Sequence, residues 1–195
     1  MKKLLIPLCA AVTTLAACSS QHDANEKNFS TAIDSFIQKR TPAVCFSYLN
    51  VGTVISDNDP DPLAKELRAL ASVGVLAAAT TKQYGSTATM HQYSLTSLGK
   101  SHFQDGQICF GKVSLDKVVG WTPVEKVPGM DAATSAVSFT YSVQDVPPWA
   151  DSADVRDAIP YVRDVLAGSE KHQAVIADLT LMGDHWSVGK IRSPL

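Results

Sequence analysis

The chain has no apolar run long enough to cross a bilayer, which takes about 20 residues. The candidate run, residues 4–17, is shorter than that and is interrupted by Pro7. Charge is also scarce and nearly balanced, with 18% charged residues and a formal net charge of −2. A face that binds nucleic acid needs several lysines or arginines together, so we expect no nucleic-acid partner and no electrostatic binding to anionic lipid.

Reaction motifs are missing as well. The sequence has no Gly-x-Ser-x-Gly nucleophile elbow, no phosphate-binding loop and no His-Glu-x-x-His zinc motif. No two of its five histidines have the i, i+4 spacing that would place two metal ligands on one helix face. We therefore expect no catalytic residue and no cofactor.

The N-terminus carries the most informative pattern. Leu15-Ala16-Ala17-Cys18 closes an apolar segment that begins after Lys2 and Lys3, and it resembles the lipobox of bacterial lipoproteins. The resemblance implies that residues 1–17 are a signal peptide and that fatty acyl chains, palmitate among them, are attached to Cys18. Ser19 implies sorting to the outer membrane, facing the periplasm. The alternative is a secreted protein in which Cys18 has no role.

The residues after this cysteine are polar, and we expect a flexible tether over residues 18–27. With Cys18 taken by the anchor and Cys9 removed with the signal, only Cys45 and Cys109 are left. An even pair in an oxidising compartment favours a disulfide. Two separate buried thiols are the alternative, since free cysteine packs like a small hydrophobic residue.

Residues 28–104 alternate helix and strand signals. Phe29, Ile33 and Ile37 recur at helical spacing, with Asn28 or Ser30 as candidate N-cap residues and Pro42 as the stop. A strand is predicted over residues 44–49, and a second helix from Pro62 to a stop at Gly74. Strands over residues 75–81 and 90–95, a turn over residues 84–87 and a helix from Thr96 through Phe103 complete this half.

Residues 63–103 contain Leu67-Arg68-Ala69-Leu70-Ala71-Ser72-Val73-Gly74-Val75-Leu76 and Tyr93-Ser94-Leu95-Thr96-Ser97-Leu98-Gly99-Lys100. The two segments resemble the second half of a winged-helix domain, so we expect a winged-helix-like subdomain over residues 28–104. Such domains mostly bind DNA, but the candidate recognition helix carries only Lys65 and Arg68 as basic residues. The resemblance therefore implies a shape kept for protein contacts. Residues 49–60 depart from the pattern, because winged-helix domains usually carry another helix there.

Residues 105–195 have the pattern of a second, α+β subdomain. Long strands are predicted over residues 108–119 and 136–143, the latter with Val137, Phe139, Tyr141 and Val143 on one face. A helical stretch follows, capped by Asp151 or Ser152, kinked or restarted by Pro160 and ended by Gly168. Residues 174–181 and 185–191 form a hairpin pattern. We expect an antiparallel sheet with a helix packed on one face.

Two groups of side chains are candidate sites. Asp57, Asp59 and Asp61 have the alternate spacing of calcium ligands, but Pro62 and Arg68 stand where an EF-hand needs Gly and Glu. A turn that caps the following helix is the better interpretation, and a simpler calcium site is the alternative. Among the three tryptophans, we expect Trp186 to face inward and Trp149, beside Pro148, to be exposed for interaction.

The sequence thus predicts a lipid-anchored, non-catalytic binding or adapter module that faces the periplasm. Its partners would be the membrane, through the lipid, and an envelope protein or glycan. Two other functions stay open. The first is a small envelope hydrolase whose site is assembled only in three dimensions. The second is an inhibitor or immunity protein with a rigid exposed loop, for which residues 145–151 are the candidate.

Overall fold

A computed structural model describes residues 20, 22–40, 42–47, 54–56, 58–82, 88–192 and 195. In these residues the helices are α1 (Glu26–Arg40), α2 (Pro62–Ser72), α3 (Ser97–Ser101), α4 (Ala153–Ala158) and α5 (Pro160–Glu170). The strands are β1 (Ala43–Ser47), β2 (Val54–Ser56), β3 (Leu76–Thr81), β4 (Met90–Leu95), β5 (Phe103–Gln104), β6 (Gln107–Trp121), β7 (Glu125–Lys126), β8 (Ala132–Gln144), β9 (Val175–Met182) and β10 (His185–Arg192). The fold is mixed α+β, as predicted.

The strands form two antiparallel sheets. The larger has the order β1-β6-β8-β9-β10, with β5 added on β6 and β7 on β8. The smaller has the order β2-β4-β3. Helix α1 packs against both β6 and β10, which are separated in the sheet by β8 and β9. The large sheet therefore curls around α1, a contact that the sequence did not predict.

The inner face of β8 forms much of the core. Val137, Phe139 and Tyr141 are fully buried, as the alternating pattern predicted, whereas Ser138 between them is only half-buried. Helix α5 packs on this strand, and the Tyr141 hydroxyl donates a hydrogen bond to the Val165 carbonyl at 2.9 Å. The predicted helical layer on one face of the sheet is confirmed.

Two predicted helix ends are wrong. Gly168 does not end α5, which continues to Glu170. It is buried inside the helix, and glycine fits there because a Cβ at this position would overlap the Tyr141 hydroxyl. At the start of α1, neither Asn28 nor Ser30 is the cap. Asn25 accepts the Asn28 backbone N–H at 2.9 Å, and the helix begins at Glu26.

The other predicted boundaries lie close to the observed ones. Pro62 begins α2, Gly74 follows its end with φ +76°, and Pro160 begins α5. Thr96 caps α3 by accepting the Gly99 N–H at 3.0 Å, although α3 ends at Ser101, before Phe103. The predicted turn over residues 84–87 lies outside the described residues, as does the end of the strand predicted over residues 44–49.

The two halves of the chain share one core. Strand β1 pairs with β6, and α2 packs against α4. Buried residues of both halves, such as Ile33, Leu67 and Val155, belong to one hydrophobic cluster. The small sheet is thus attached to the body through apolar side chains as well as through the chain itself.

Candidate functional site

The predicted disulfide is present. Cys45 and Cys109 lie directly opposite each other in the β1–β6 pair, with their Cα atoms 3.9 Å apart and a sequence separation of 64. The alternative of two separate thiols is wrong, because the strand register brings the side chains together. The bridge closes a loop that contains the whole small sheet together with α2 and α3.

A groove of about 230 Å³ lies beside this bridge. Its lining includes an exposed ion pair, in which Lys112 Nζ lies 2.8 Å from Asp145 Oδ2; the bond to Asp145 raises the pKa of Lys112. His102 lines the groove and packs edge-on against the Trp149 ring, and Ser101 donates its hydroxyl hydrogen bond to the Leu98 carbonyl. The Ser101 hydroxyl is bonded to its own helix and is not paired with a base, so among the described residues the groove shows no activated nucleophile. Its ion pair and polar side chains can still bind polar groups.

The outward face of the large sheet offers a second surface, which we call the outer face. It is defined by Thr134, Ala136 and Ser138 of β8 and by Asp178 and Thr180 of β9, which alternate with core residues. Thr134 pairs with Thr180, and Ala136 pairs with Asp178. All of these residues except Ser138 line an open depression of about 370 Å³, together with Glu125.

Arg192 of β10 holds the carboxylate on this face. Its Nη2 atom lies 2.5 Å from Asp178 Oδ1, and its Nε atom lies 3.1 Å from Asp178 Oδ2. Lys190 Nζ lies 3.7 Å from Asp178 Oδ2. The hydrogen bond from Arg192 is the largest cause of the lowered pKa of Asp178. The outer face therefore presents a fixed carboxylate, a guanidinium and several hydroxyls, a set suited to hydrogen-bonded recognition and not to proton transfer.

The tryptophan predictions have opposite outcomes. Trp186 is 5% exposed and packs edge-on against Phe29, with ring centroids 5.0 Å apart, so its inward position is confirmed. The prediction that Trp149 is exposed is wrong: only 4% of it is accessible, although Pro148 beside it is exposed. The exposed tryptophan is Trp121, at 43%, which is the last residue of β6, two positions beyond the end of the predicted strand.

Of the three aspartates, the structure describes Asp59 and Asp61, and both accept backbone hydrogen bonds in the turn before α2. Asp57 lies outside the described residues, Asp59 accepts the Asp61 N–H at 3.0 Å, and Asp61 accepts the Leu63 N–H at 2.8 Å. The cap interpretation of Asp61 is confirmed. Across the described part of the chain, no group of three or more His, Cys, Asp or Glu residues is placed to hold a metal ion.

The start of the described chain is fixed to the body. The Asn28 side chain donates hydrogen bonds to the Ser20 and Asp23 carbonyls at 2.8 and 2.9 Å. Trp186 Nε1 donates to the His22 carbonyl at 3.3 Å. The flexible tether predicted over residues 18–27 overlaps α1, which begins at Glu26; its flexibility before the helix stays a prediction. Cys18 lies outside the described residues.

In the residues that the structure describes, no helix has the length and apolar character needed to span a membrane. Comparison with known protein families, with curated proteins and with solved structures finds no match to this chain.

Proposed function

We propose that this chain is an outer-membrane lipoprotein, anchored through Cys18 and facing the periplasm, whose folded body is a binding module. The observation that carries the proposal is Leu15-Ala16-Ala17-Cys18 after a dibasic start and an apolar segment. The Cys45–Cys109 bridge supports it, since disulfides persist in oxidising compartments such as the periplasm.

The outer face is the surface that we assign to the partner. Its side chains are short and, except for Ala136, polar, so another protein can approach the strands closely and hydrogen-bond to Asp178, Arg192 and the threonines. A protein is favoured over a glycan because sugar rings are usually held by aromatic stacking. The exposed Trp121 contacts Phe29 of α1 and therefore lies on the opposite, inner side of the sheet.

We further propose that the chain from α2 to α3 is a winged-helix-like unit used for contacts with protein and not with nucleic acid. The order α2, β3, β4, α3 supports the winged-helix-like shape. The packing of α2 on α4 supports its use for contacts with protein. Both basic residues of α2 are engaged within the chain: Lys65 Nζ lies 2.7 Å from Asp157 Oδ2, and Arg68 donates to the Asp59 carbonyl.

The anchor is tested by mass spectrometry of protein purified from cell membranes. We expect a chain that begins at Cys18 and carries fatty acyl chains, while a Cys18→Ser variant leaves the membrane fraction. An intact methionine start without fatty acid would refute the proposal.

The partner surface is tested by photo-crosslinking in intact cells. A photoreactive residue in place of Thr134 should give a discrete adduct with an envelope protein, and a second change, Thr180→Lys, should abolish it. The matched control carries the crosslinker at the exposed Asp154 of α4. The same adduct from Asp154, or an adduct that persists with Thr180→Lys, would contradict the assignment of the outer face, and an adduct with glycan alone would identify the other class of partner.

A further inference from the structure

The N-terminal segment meets the large sheet at one particular end. Trp186, whose indole holds the His22 carbonyl, lies directly after the β9–β10 turn. Asp184 of this turn has a lowered pKa, caused mainly by its hydrogen bond with His185 and in smaller part by the charge of His22. His22, among the first described residues of the chain, therefore lies beside the start of β10.

The same end carries an exposed apolar group, which we call the apolar tip and define as Val124, Met130 and Met182. These side chains are 41%, 70% and 62% exposed. Met182 pairs with Ala132, and Met130 precedes Ala132 by two residues in the turn between β7 and β8. Met130 and Met182 therefore lie at the same end of the sheet. Val124 lies just before β7, which pairs with the same end of β8.

The distance between this end and the proposed lipid is short. Cys18 precedes Ser20 by two residues, and an extended chain spans at most about 3.6 Å per residue, or roughly 7 Å for this stretch. Ser20 itself is held to α1 by Asn28. A body attached so closely cannot turn freely, so the end next to Ser20 must face the bilayer.

We propose that the apolar tip docks on the lipid bilayer and sets the orientation of the anchored protein; this inference rests on the lipidation of Cys18 proposed above. Exposed charges of both signs, Lys126, Asp131 and Asp184, lie within two sequence positions of the tip residues. Attraction to anionic headgroups therefore contributes little, and the acyl chains and the apolar side chains hold this end in the interface.

This orientation has a consequence for the rest of the molecule. β6 begins beside the disulfide groove and ends at Trp121, near the apolar tip. Its 15 residues span up to about 50 Å at roughly 3.3 Å per residue. The groove therefore lies at the end of the sheet that is far from the membrane. The outer face lies between the two ends and is open to a partner.

The test uses the chain from Cys18 onward, coupled through that thiol to a maleimide lipid, on phosphatidylethanolamine and phosphatidylglycerol vesicles with or without brominated acyl chains. All variants carry Trp121→Phe, so that the native tryptophans that remain are buried. Met130→Trp reports on the tip. Leu98→Trp is the matched control, because Leu98 is also exposed, at 41%, and lies in α3 near the start of β6.

We expect brominated lipid to quench the added fluorescence of Met130→Trp at least twofold more than that of Leu98→Trp. Equal quenching at both positions, or stronger quenching at Leu98→Trp, overturns the docking. Met182→Trp gives an independent second position if Met130→Trp does not fold.

Because the lipid is attached chemically, the outcome does not depend on natural acylation. Absence of fatty acid on the cellular protein would refute the proposed function and leave the docking result standing. Natural acylation together with equal quenching would refute the docking alone.

Discussion

Gly168 lies inside α5, where alanine is ordinarily the better residue by about 1 kcal/mol. Here the added Cβ would overlap the hydroxyl of Tyr141, which is buried and bonded to the Val165 carbonyl. If the ring moves, the lost hydrogen bond lowers the free energy of unfolding by about 1 kcal/mol. The extra methyl group in the packed core lowers it by about 1–3 kcal/mol more, partly offset by the better helix propensity of alanine. We therefore expect Gly168→Ala to lower the free energy of unfolding by about 1–3 kcal/mol, measured by urea denaturation followed by circular dichroism.

The control is the same change in a Tyr141→Phe background. Without the hydroxyl, the next atom of residue 141 near the new Cβ is Cζ, at 3.3 Å, which a small ring shift accommodates. Gly168→Ala should then be neutral or stabilising by up to about 1 kcal/mol. Equal destabilisation in both backgrounds would show that the hydroxyl is not the obstacle and would refute the reasoning.

Three other measurements test the description of the fold. Replacing both Cys45 and Cys109 by Ser opens a loop with a separation of 64 residues and should lower stability in urea by up to about 4 kcal/mol; a loss below about 1 kcal/mol would contradict this. Burial raises the pKa of Tyr141 to about 12 from 10.0, so its stabilising contribution is complete below pH 10 and is lost as the pH rises through 12. Tyr141→Phe should therefore flatten the decline of stability between these values, and an unchanged decline would count against the assignment. Asp61→Ala should cost about 1 kcal/mol through loss of the cap on the Leu63 N–H, and this cost should be the same with and without calcium.

Local signals predicted most elements because they act within a few residues. Pro62 and Pro160 fix the backbone angle for a first helical turn, and Asp61 and Thr96 supply a side-chain acceptor at the right distance. Alternation predicted the buried face of β8 for the same reason, since period two is a property of the strand itself.

Long-range packing is what the sequence could not supply. Gly168 has the residue type of a helix stop, but the nearby Tyr141 hydroxyl decides its role. The two prolines before Trp149 predict an exposed side chain, yet it packs against His102, more than 40 positions earlier in the chain. The candidate partner surface was also missed, because the outer face is assembled from strands that the sequence does not place side by side.

The disulfide also shortens the covalent path through the protein. From the N-terminus to Asp178, the shortest covalent path runs along α1 and β1, crosses from Cys45 to Cys109 and continues through β6 and β8 to β9. The segment between the two cysteines, which are 64 positions apart, lies outside this path while the bridge is intact. Once reduced, it can unravel and add roughly 220 Å at about 3.4 Å per residue. The bridge thus limits how far a bound partner can be drawn from the attachment point.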